Sequence, residues 1–303
     1  MRQNNPTTFA SVATPSATKA LMKKHQIVLK KSLGQNFITD QNILQKIIDA
    51  AQLDNTKGVI EIGPGIGALT QQLARVAGKV LAIEIDQRLL PVLAETLAPY
   101  PHTKIIHGDI LKIDLKDYIQ SEFESMTSIS VVANLPYYIT TPIIFKLLEE
   151  KLPIENIVIM IQKEVAERIH AQPGTKDYGS LSIAIQYHCH SEIICVVPRT
   201  VFVPEPHVDS AIIRLKLRTR PAVHVENEAF FFEVVRSCFV QRRKTILNNL
   251  SVKFSNYKAK LDLKAILLAI GIDPTRRAET LSIDEYAQLA VALTKQVIES
   301  NNV

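Results

Sequence analysis

The sequence predicts a mostly parallel α/β sheet with helices on both faces and an antiparallel hairpin at one edge, followed by a small all-helical C-terminal domain. Three observations support this prediction. Strand-like and helix-period segments alternate between residue 40 and Lys163. Beyond them, Ser182–Val197 and Ala211–Leu217 look like two long strands joined by a proline-rich connection. From about Val223 onward only helix-period segments occur.

Length and composition are those of a globular protein. The 303 residues are 47% apolar and 21% charged, which excludes a disordered or fibrous chain. Cys189, Cys195 and Cys238 are an odd number of cysteines without a C-x-x-C pair, so we expect reduced thiols. No run reaches the roughly eighteen apolar residues of a membrane span. The sequence therefore predicts a cytoplasmic protein that does not cross a membrane.

The N-terminal segment is predicted to be a disordered basic leader over 1–29. It is rich in Ser, Thr, Ala, Asn and Pro and shows no apolar period. The net charge is +6 over 1–39, −5 over 40–199 and +4 over 200–303. Basic ends around an acidic middle indicate a polyanionic partner, although a solvated tail and ordinary surface lysines explain the charge alone equally well.

After the leader, the elements follow in order, beginning with a helix that Asp40 can cap. The buried-strand candidates are Val59–Ile62, Val80–Ile85, Lys104–His107, Ser130–Ala133 and Ile157–Ile161. Amphipathic segments lie between them, as at Ala68–Val76 and Arg88–Leu97. The C-terminal helices are expected at Phe230–Phe239, Lys244–Leu250, Leu263–Ile270 and Ile283–Ile298. This pattern predicts a sheet domain over 30–220 and a helical domain over 221–303.

A glycine-rich loop marks a candidate cofactor site. Gly63, Gly65 and Gly67 follow a predicted strand and open a predicted helix, which allows a tight turn and a close approach of ligand to backbone. Glu84 ends the next strand, where an acid can accept hydrogen bonds from both hydroxyls of a ribose. The cofactor is therefore predicted to be a nucleoside derivative.

The glycine spacing narrows the class of cofactor. Dinucleotide sites space their glycines G-x-G-x-x-G, whereas this loop reads G-x-G-x-G behind a Glu and resembles the S-adenosylmethionine loop of Rossmann-like methyltransferases. Asp109, after the third strand, can reach the adenine amino group, and Ile85 and Ile110 can sandwich the purine or simply belong to the core. Carboxyl ends of parallel strands share one edge, so these motifs are expected in one crevice.

The fourth strand ends in Asn134-Leu135-Pro136-Tyr137, which resembles the N/D-x-P-Y signature of enzymes that methylate exocyclic amino nitrogens of bases. The Asn134 side-chain carbonyl and the Leu135 backbone carbonyl can accept both N6 hydrogens of an adenine and so help the nitrogen to attack. Tyr137 offers a ring on which an extruded base can stack.

Several further motifs together resemble the KsgA family, the small-subunit (16S) ribosomal RNA adenine dimethyltransferases. They are Lys31–Ile38 (KSLGQNFI), Asn134–Thr140, Gln162–Arg168, Phe202–Ser210 (FVPEPHVDS) and Phe239–Lys244 (FVQRRK), and the resemblance spans roughly 30–295. The one departure noted is Ile38, where a Leu is more usual.

The resemblance implies dimethylation of N6 on two adjacent adenosines in the 3′-terminal hairpin of small-subunit rRNA, within an assembling subunit. The oligomeric state stays open, with a monomer as the default expectation. The resemblance also implies a Rossmann-like class I methyltransferase fold and S-adenosylmethionine as cofactor. The implied cofactor-binding residues are Asn36, Ile38, Gly63, Gly65, Glu84, Asp109 and Asn134. The implied catalytic residues are Asn134, Leu135, Tyr137 and Phe202, with Phe202 closing over the target base.

A basic cluster in the C-terminal domain is predicted to bind rRNA phosphates. Arg242, Arg243 and Lys244 are expected on a helix together with Arg236, unless some of them pair with Glu233 or stay solvated. His188-Cys189-His190 lacks a third ligand at a recognisable spacing, so no metal site is predicted. Two other functions stay open at this point: dimethylation of large-subunit rRNA, as in antibiotic resistance, and a catalytically silent ribosome-assembly or transcription factor.

Overall fold

Nine strands and twelve α-helices form the regular structure of the described residues, which in this computed structural model are 12–28, 30, 34–255 and 262–301. The strands are β1 (Phe37–Ile38), β2 (Gly58–Ile62), β3 (Lys79–Glu84), β4 (Thr103–His107), β5 (Ile129–Asn134), β6 (Ile154–Gln162), β7 (Cys189–Val197), β8 (Phe202–Val203) and β9 (Ser210–Leu217). The helices are α1 (Pro15–Lys24), α2 (Gln41–Ala51), α3 (Ala68–Val76), α4 (Leu90–Thr96), α5 (Leu115–Glu122), α6 (Thr140–Glu149), α7 (Lys163–His170), α8 (Ser180–His188), α9 (Glu228–Cys238), α10 (Ile246–Lys253), α11 (Leu263–Ala269) and α12 (Ile283–Asn301).

Seven strands pair in the order β4-β3-β2-β5-β6-β9-β7. The first five are parallel, and β9 runs antiparallel to β6. The parallel strands β2, β3 and β5 are buried throughout or nearly so, because helices cover both faces of such a sheet. The predicted mostly parallel sheet with an antiparallel addition at its edge is confirmed.

The register of the parallel strands brings their carboxyl ends to one edge. Ile62, the last residue of β2, pairs with Ile83 and Ala133, and Glu84 at the end of β3 pairs with His107. The loops that follow these strands therefore start side by side. A separate two-stranded sheet joins β1 to β8, with Phe37 opposite Val203.

The chain divides into two compact units, Met1–Ala166 with Glu192–Leu217, and Glu167–Ser191 with Arg218–Val303. The first contains the parallel strands, and the second has a helical core around Tyr187, Phe231 and Tyr286. Residues 167–191 therefore group with the helical unit, whereas the sequence pattern predicts them in the sheet domain.

The segment predicted as one strand over Ser182–Val197 is wrong in its first half. Ser180–His188 is a helix, and only Cys189–Val197 is a strand. Alternating β-branched and aromatic residues favour a strand here. However, the ring centroids of Tyr187 and Phe231 lie 5.3 Å apart, so packing of the helix against the helical core outweighs the local strand preference.

The predicted disorder of the leader is wrong for Pro15–Lys24, while 1–11 and 29 lie outside the described residues. Thr14 caps this helix by accepting a hydrogen bond from the Ala17 N–H at 3.2 Å. The buried Thr18 hydroxyl donates to the Val12 carbonyl, and the Val12 N–H donates to Gln71 of α3. The composition is typical of disorder, but the segment also contains a local helix-start signal, a capping Thr followed by Pro at the first helical position.

Candidate active site

A cleft at the carboxyl edge of the parallel strands collects the predicted site residues. All of the predicted cofactor-binding and catalytic residues line it: Asn36, Ile38, Gly63, Gly65, Glu84, Asp109, Asn134, Leu135, Tyr137 and Phe202. They come from segments far apart in the chain, and the strand register described above brings them together. Every one of these residues belongs to the first unit.

The glycine loop has a left-handed backbone at all three glycines. Gly63, Gly65 and Gly67 have φ values of +72°, +62° and +88°, a conformation that other residues adopt at a cost. A Cβ on Gly65 would lie 2.8 Å from the Phe37 ring and one on Gly67 2.8 Å from Thr96 Oγ1. A Cβ on Gly63 would meet nothing within 4 Å. The last two glycines therefore permit close packing, and Gly63 leaves open space at the cleft.

Glu84 is buried and already holds the loop. One carboxylate oxygen accepts the Gly65 N–H at 3.0 Å, and the other accepts the Asp86 N–H at 2.8 Å. Burial raises the pKa of Glu84. Each oxygen keeps a lone pair beyond these bonds, so the group is still able to accept hydrogen bonds from two hydroxyls of a ligand.

Glu61 is a second buried carboxyl on the cleft. It is 1% exposed, and its Oε2 has no hydrogen-bond partner among the described residues. Burial raises the pKa of Glu61 to about 8; the nearby Thr70 hydroxyl opposes this rise, and the charge of Glu84 adds to it. This residue is therefore mostly neutral at neutral pH. Its place ahead of the glycine loop is visible in the sequence, but no role is predicted from it.

Apolar surface lies beside these acids. Ile85 is 49% exposed and lines the cleft together with the buried Ile110. An exposed Ile next to a buried one leaves an apolar face open to a flat ligand such as a purine. Asp109 uses one oxygen to accept the Leu111 N–H at 3.0 Å, which fixes its carboxylate just beyond the end of β4.

The Asn134 side chain has a fixed orientation. Its Nδ2 donates to the Asn36 carbonyl oxygen at 2.9 Å. Because a carbonyl only accepts, the amide NH₂ must face Asn36, and Oδ1 is left as the acceptor. The Leu135 N–H donates to the Met160 carbonyl at 3.2 Å, which fixes the next peptide of the same turn.

Two aromatic rings complete the lining. The Tyr137 hydroxyl lies 2.9 Å from Ser210 Oγ, and burial raises the pKa of this phenol. Phe202 is 4% exposed and pairs with Ile38 in the β1–β8 sheet. Strand β1, which carries the predicted cofactor-binding residue Ile38, is thus hydrogen-bonded to strand β8, which carries Phe202.

Sequence reasoning missed a polar network beside the cleft. Asp86 is 4% exposed and accepts hydrogen bonds from the Gln35 side chain at 3.1 Å and from the Arg88 guanidinium at 2.6 Å. Hydrogen bonding to Arg88 lowers the pKa of Asp86 to about 2. The Arg88 guanidinium also donates to the Val28 carbonyl. The period-2 spacing of Glu84 and Asp86 was the signal for this second acid.

The basic cluster differs in part from its prediction. Arg236 lies on α9, but Arg242, Arg243 and Lys244 lie in the turn between α9 and α10 rather than on a helix. All four are exposed. The Asn249 side chain stabilises this turn by donating a hydrogen bond to the Gln241 carbonyl at 3.1 Å. This side-chain hydrogen bond satisfies a backbone carbonyl that an N–H would satisfy if the helix continued. Glu233, the alternative partner considered for these bases, pairs with Lys253 at 2.6 Å.

The described residues offer neither a metal-ligand cluster nor a membrane-spanning helix. No three His, Cys, Asp or Glu side chains within them group as metal ligands. In the same part of the chain, no helix is both long and apolar enough to span a membrane.

Comparisons with known proteins agree on one family. The family model described as "Ribosomal RNA adenine dimethylase" matches residues 27–295. Curated relatives named "Ribosomal RNA small subunit methyltransferase A" are 60% identical over 283 residues in a Geobacillus species and 59% identical in Bacillus mycoides, covering 93% of this chain and 97% of each relative.

Solved structures show the same architecture. A dimethyladenosine transferase from Plasmodium falciparum matches with a TM-score of 0.70 at 27% identity, covering 86% of this chain and 98% of that one. The 23S rRNA methyltransferase ErmE matches with a TM-score of 0.64, also at 27% identity, covering 85% of this chain and 99% of that one.

Proposed function

Because the chain belongs to the ribosomal RNA adenine dimethylase family, we propose that it transfers methyl groups to N6 of two adjacent adenosines in the 3′-terminal hairpin of small-subunit rRNA. S-adenosylmethionine is the proposed methyl donor. The fixed Asn134 amide carries this proposal within the site, since its Oδ1 is left to accept an N6 hydrogen beside the cleft.

The cleft fits the proposed cofactor in its chemistry. Glu84 offers acceptors for two ribose hydroxyls, Asp109 an acceptor for the adenine amine, and Ile85 an apolar face for the purine. Open space at Gly63 admits a ligand against the backbone. Asn36 and Ile38 would hold the methionine end. When bound, S-adenosylmethionine supplies an electrophilic methyl group.

The protein's part in the transfer is positional and electrostatic. An adenine N6 lone pair is delocalised into the ring, so the nitrogen is a weak nucleophile until acceptors draw on its hydrogens. Asn134 Oδ1 and the Leu135 carbonyl accept those hydrogens, while Tyr137 and Phe202 hold the base. The attacking nitrogen becomes acidic only after the methyl has moved, so we assign no strong general base.

The proposed acceptor is rRNA in an assembling small subunit, bound by the helical unit through Arg236, Arg242, Arg243 and Lys244, and the enzyme is proposed to act as a monomer. The exposure of all four bases supports phosphate binding. A large-subunit acceptor has weaker support: ErmE is 27% identical to this chain, while the small-subunit methyltransferases are about 60% identical.

A methyl-transfer assay tests the proposal. Radiolabelled S-adenosylmethionine is mixed with undermethylated small subunits and, in parallel, with large subunits. We expect label only in small-subunit rRNA, and about a 100-fold loss or more in Asn134→Ala, the size of effect seen when one preorganised polar group is removed. Asn42→Ala, on the exposed surface of α2, is the control and should retain full activity.

Other outcomes would redirect the assignment. Label in large-subunit rRNA would move the enzyme to the resistance-type group. Cofactor binding without any transfer would favour an assembly factor, and a chain that does not bind the cofactor would refute the proposal.

A further inference from the structure

The Tyr137 ring is tied to the sheet at its far end. Its hydroxyl is 2.9 Å from the hydroxyl of Ser210, a residue 73 positions later in the chain. Ser210 is 1% exposed, so water does not compete readily for this contact. Either hydroxyl is able to donate to the other.

Ser210 has a firm backbone position. It is the first residue of β9 and pairs with Gln162, the last paired residue of β6, in the antiparallel ladder. Since β6 belongs to the parallel set, its carboxyl end lies at the edge of the sheet that carries the cleft. Ser210 is thus held at that edge by the sheet and not by a loop.

A hydrogen bond at this point restricts the ring more than a contact near the backbone would. A Tyr side chain turns about two bonds, Cα–Cβ and Cβ–Cγ. Its hydroxyl oxygen lies on the Cβ–Cγ axis and far from the Cα–Cβ bond, so the contact with Ser210 fixes the direction in which the ring points by opposing rotation about Cα–Cβ. Stacking with a base requires the ring to lie at a defined position, and a ring whose position is already held loses less entropy when the base arrives.

We propose that Ser210 is a positioning residue that presets the Tyr137 ring for the target adenine. This inference rests on the proposed function, in which Tyr137 stacks on the base. Ser210 itself touches neither base nor cofactor in this account; it acts through the phenol.

A double-mutant cycle tests the proposal. The variants are Ser210→Ala, Tyr137→Phe and the two combined, in the full chain, with kcat and KM measured for undermethylated small subunits. Removing one neutral hydrogen bond should lower kcat/KM by about 3- to 10-fold in either single variant. The combined variant should be no worse than Tyr137→Phe alone, because the hydroxyl that Ser210 contacts is already gone. Ser130→Ala, another buried serine of the same sheet, should behave as wild type.

A second measurement does not need activity. With a carbon-13 label at tyrosine Cζ, the titration of Tyr137 is followed by NMR in the cofactor-free protein and assigned from Tyr137→Phe. The Ser210 hydroxyl lowers the pKa of this phenol, so Ser210→Ala should raise its midpoint while Ser130→Ala leaves it unchanged.

The two measurements distinguish failure of the proposed function from failure of the role assigned to Ser210. Inactive wild type together with the expected NMR shift would refute the proposed function but keep Ser210 as the residue that holds Tyr137. An unchanged midpoint would overturn the inference. So would a further loss of activity when Ser210→Ala is added to Tyr137→Phe, or no loss when Ser210→Ala is the only change.

Discussion

At the scale of single residues, two buried carboxyls on the same cleft have different surroundings. Glu84 accepts two backbone N–H groups, whereas Glu61 keeps an oxygen without a partner among the described residues. Desolvation penalises a charge at either position. Because Glu61 has less compensation, its ionisation should be visible in the stability of the cofactor-free protein.

We predict that Glu61→Gln removes a pH dependence of stability. The folded-state pKa of about 8 exceeds the ordinary value of 4.5, so between these pH values the folded state holds a proton that the unfolded state releases. The wild-type free energy of unfolding should therefore fall as pH rises through this window. Gln keeps the shape and cannot ionise, so at pH 8 the variant should be more stable, on the order of a few kcal/mol.

Denaturant unfolding of the cofactor-free proteins across this pH range checks the prediction. Glu149→Gln, on an exposed position of α6, is the matched control and should follow wild type. If the free energy of unfolding depended on pH equally in wild type and Glu61→Gln, the prediction would be contradicted.

The site residues that belong to short sequence motifs could be predicted from the sequence. Gly63, Glu84, Asp109 and Asn134 each follow or end a strand, so the shared edge of a parallel sheet predicts their meeting. The link between Ser210 and Tyr137 follows from no such motif. It depends on the pairing of β6 with β9, which no local pattern specifies.

At the scale of elements, the glycines of the glycine-rich loop have two different roles, helix packing and ligand approach. Gly67 caps α3 and lies against α4, so its missing side chain serves packing. Gly63 faces open space at the cleft, so we propose that its missing side chain lets the cofactor approach the backbone. Both share a left-handed backbone.

Two alanine variants should separate these functions. Gly67→Ala places a Cβ 2.8 Å from Thr96 Oγ1 and should lower stability by about 2–4 kcal/mol, through overpacking added to backbone strain. Gly63→Ala carries only the strain, about 1–2 kcal/mol. Its methyl group would occupy the open space at the cleft, so it should weaken cofactor binding by about 10-fold, which corresponds to about 1.4 kcal/mol.

Thermal unfolding and calorimetric titration with S-adenosylmethionine measure the two effects. Equal losses of cofactor affinity in both variants, or a larger stability loss for Gly63→Ala, would show that the division is wrong.

Elements were predictable where one periodic signal was strong. Ala68–Val76 is the predicted helix with the predicted bounds, and the five predicted parallel strands are present. Two segments failed for different physical reasons. At Ser180–His188 packing outweighs β propensity, and at Pro15–Lys24 a capping signal lies within a composition typical of disorder.

At the scale of the whole molecule, charge is distributed unevenly along the chain. The acidic stretch 40–199 contains most of the cleft, and the basic stretch 200–303 contains the exposed Arg242, Arg243 and Lys244. An acidic catalytic region that acts on RNA needs a basic region to hold its polyanionic substrate.

We predict that replacing Arg242, Arg243 and Lys244 together by Ala weakens rRNA binding without changing cofactor affinity. Every phosphate that these bases no longer neutralise should reduce the slope of log affinity against log salt by about one. Filter binding of small-subunit rRNA over a range of salt concentrations measures this slope. Lys264→Ala, on α11, is the control. An unchanged slope in the triple variant would exclude these bases from the interface.

The most direct test of the central claim is mass spectrometry of nuclease-digested rRNA from undermethylated small subunits after their reaction with wild-type protein and S-adenosylmethionine. We expect two methyl groups on each of two neighbouring adenosines in the 3′-terminal hairpin, and methylation lower by about 100-fold or more in the Asn134→Ala reaction over the same time. Methyl groups at any other nucleotide, or small-subunit rRNA left unmodified by a chain that binds the cofactor, would contradict the account.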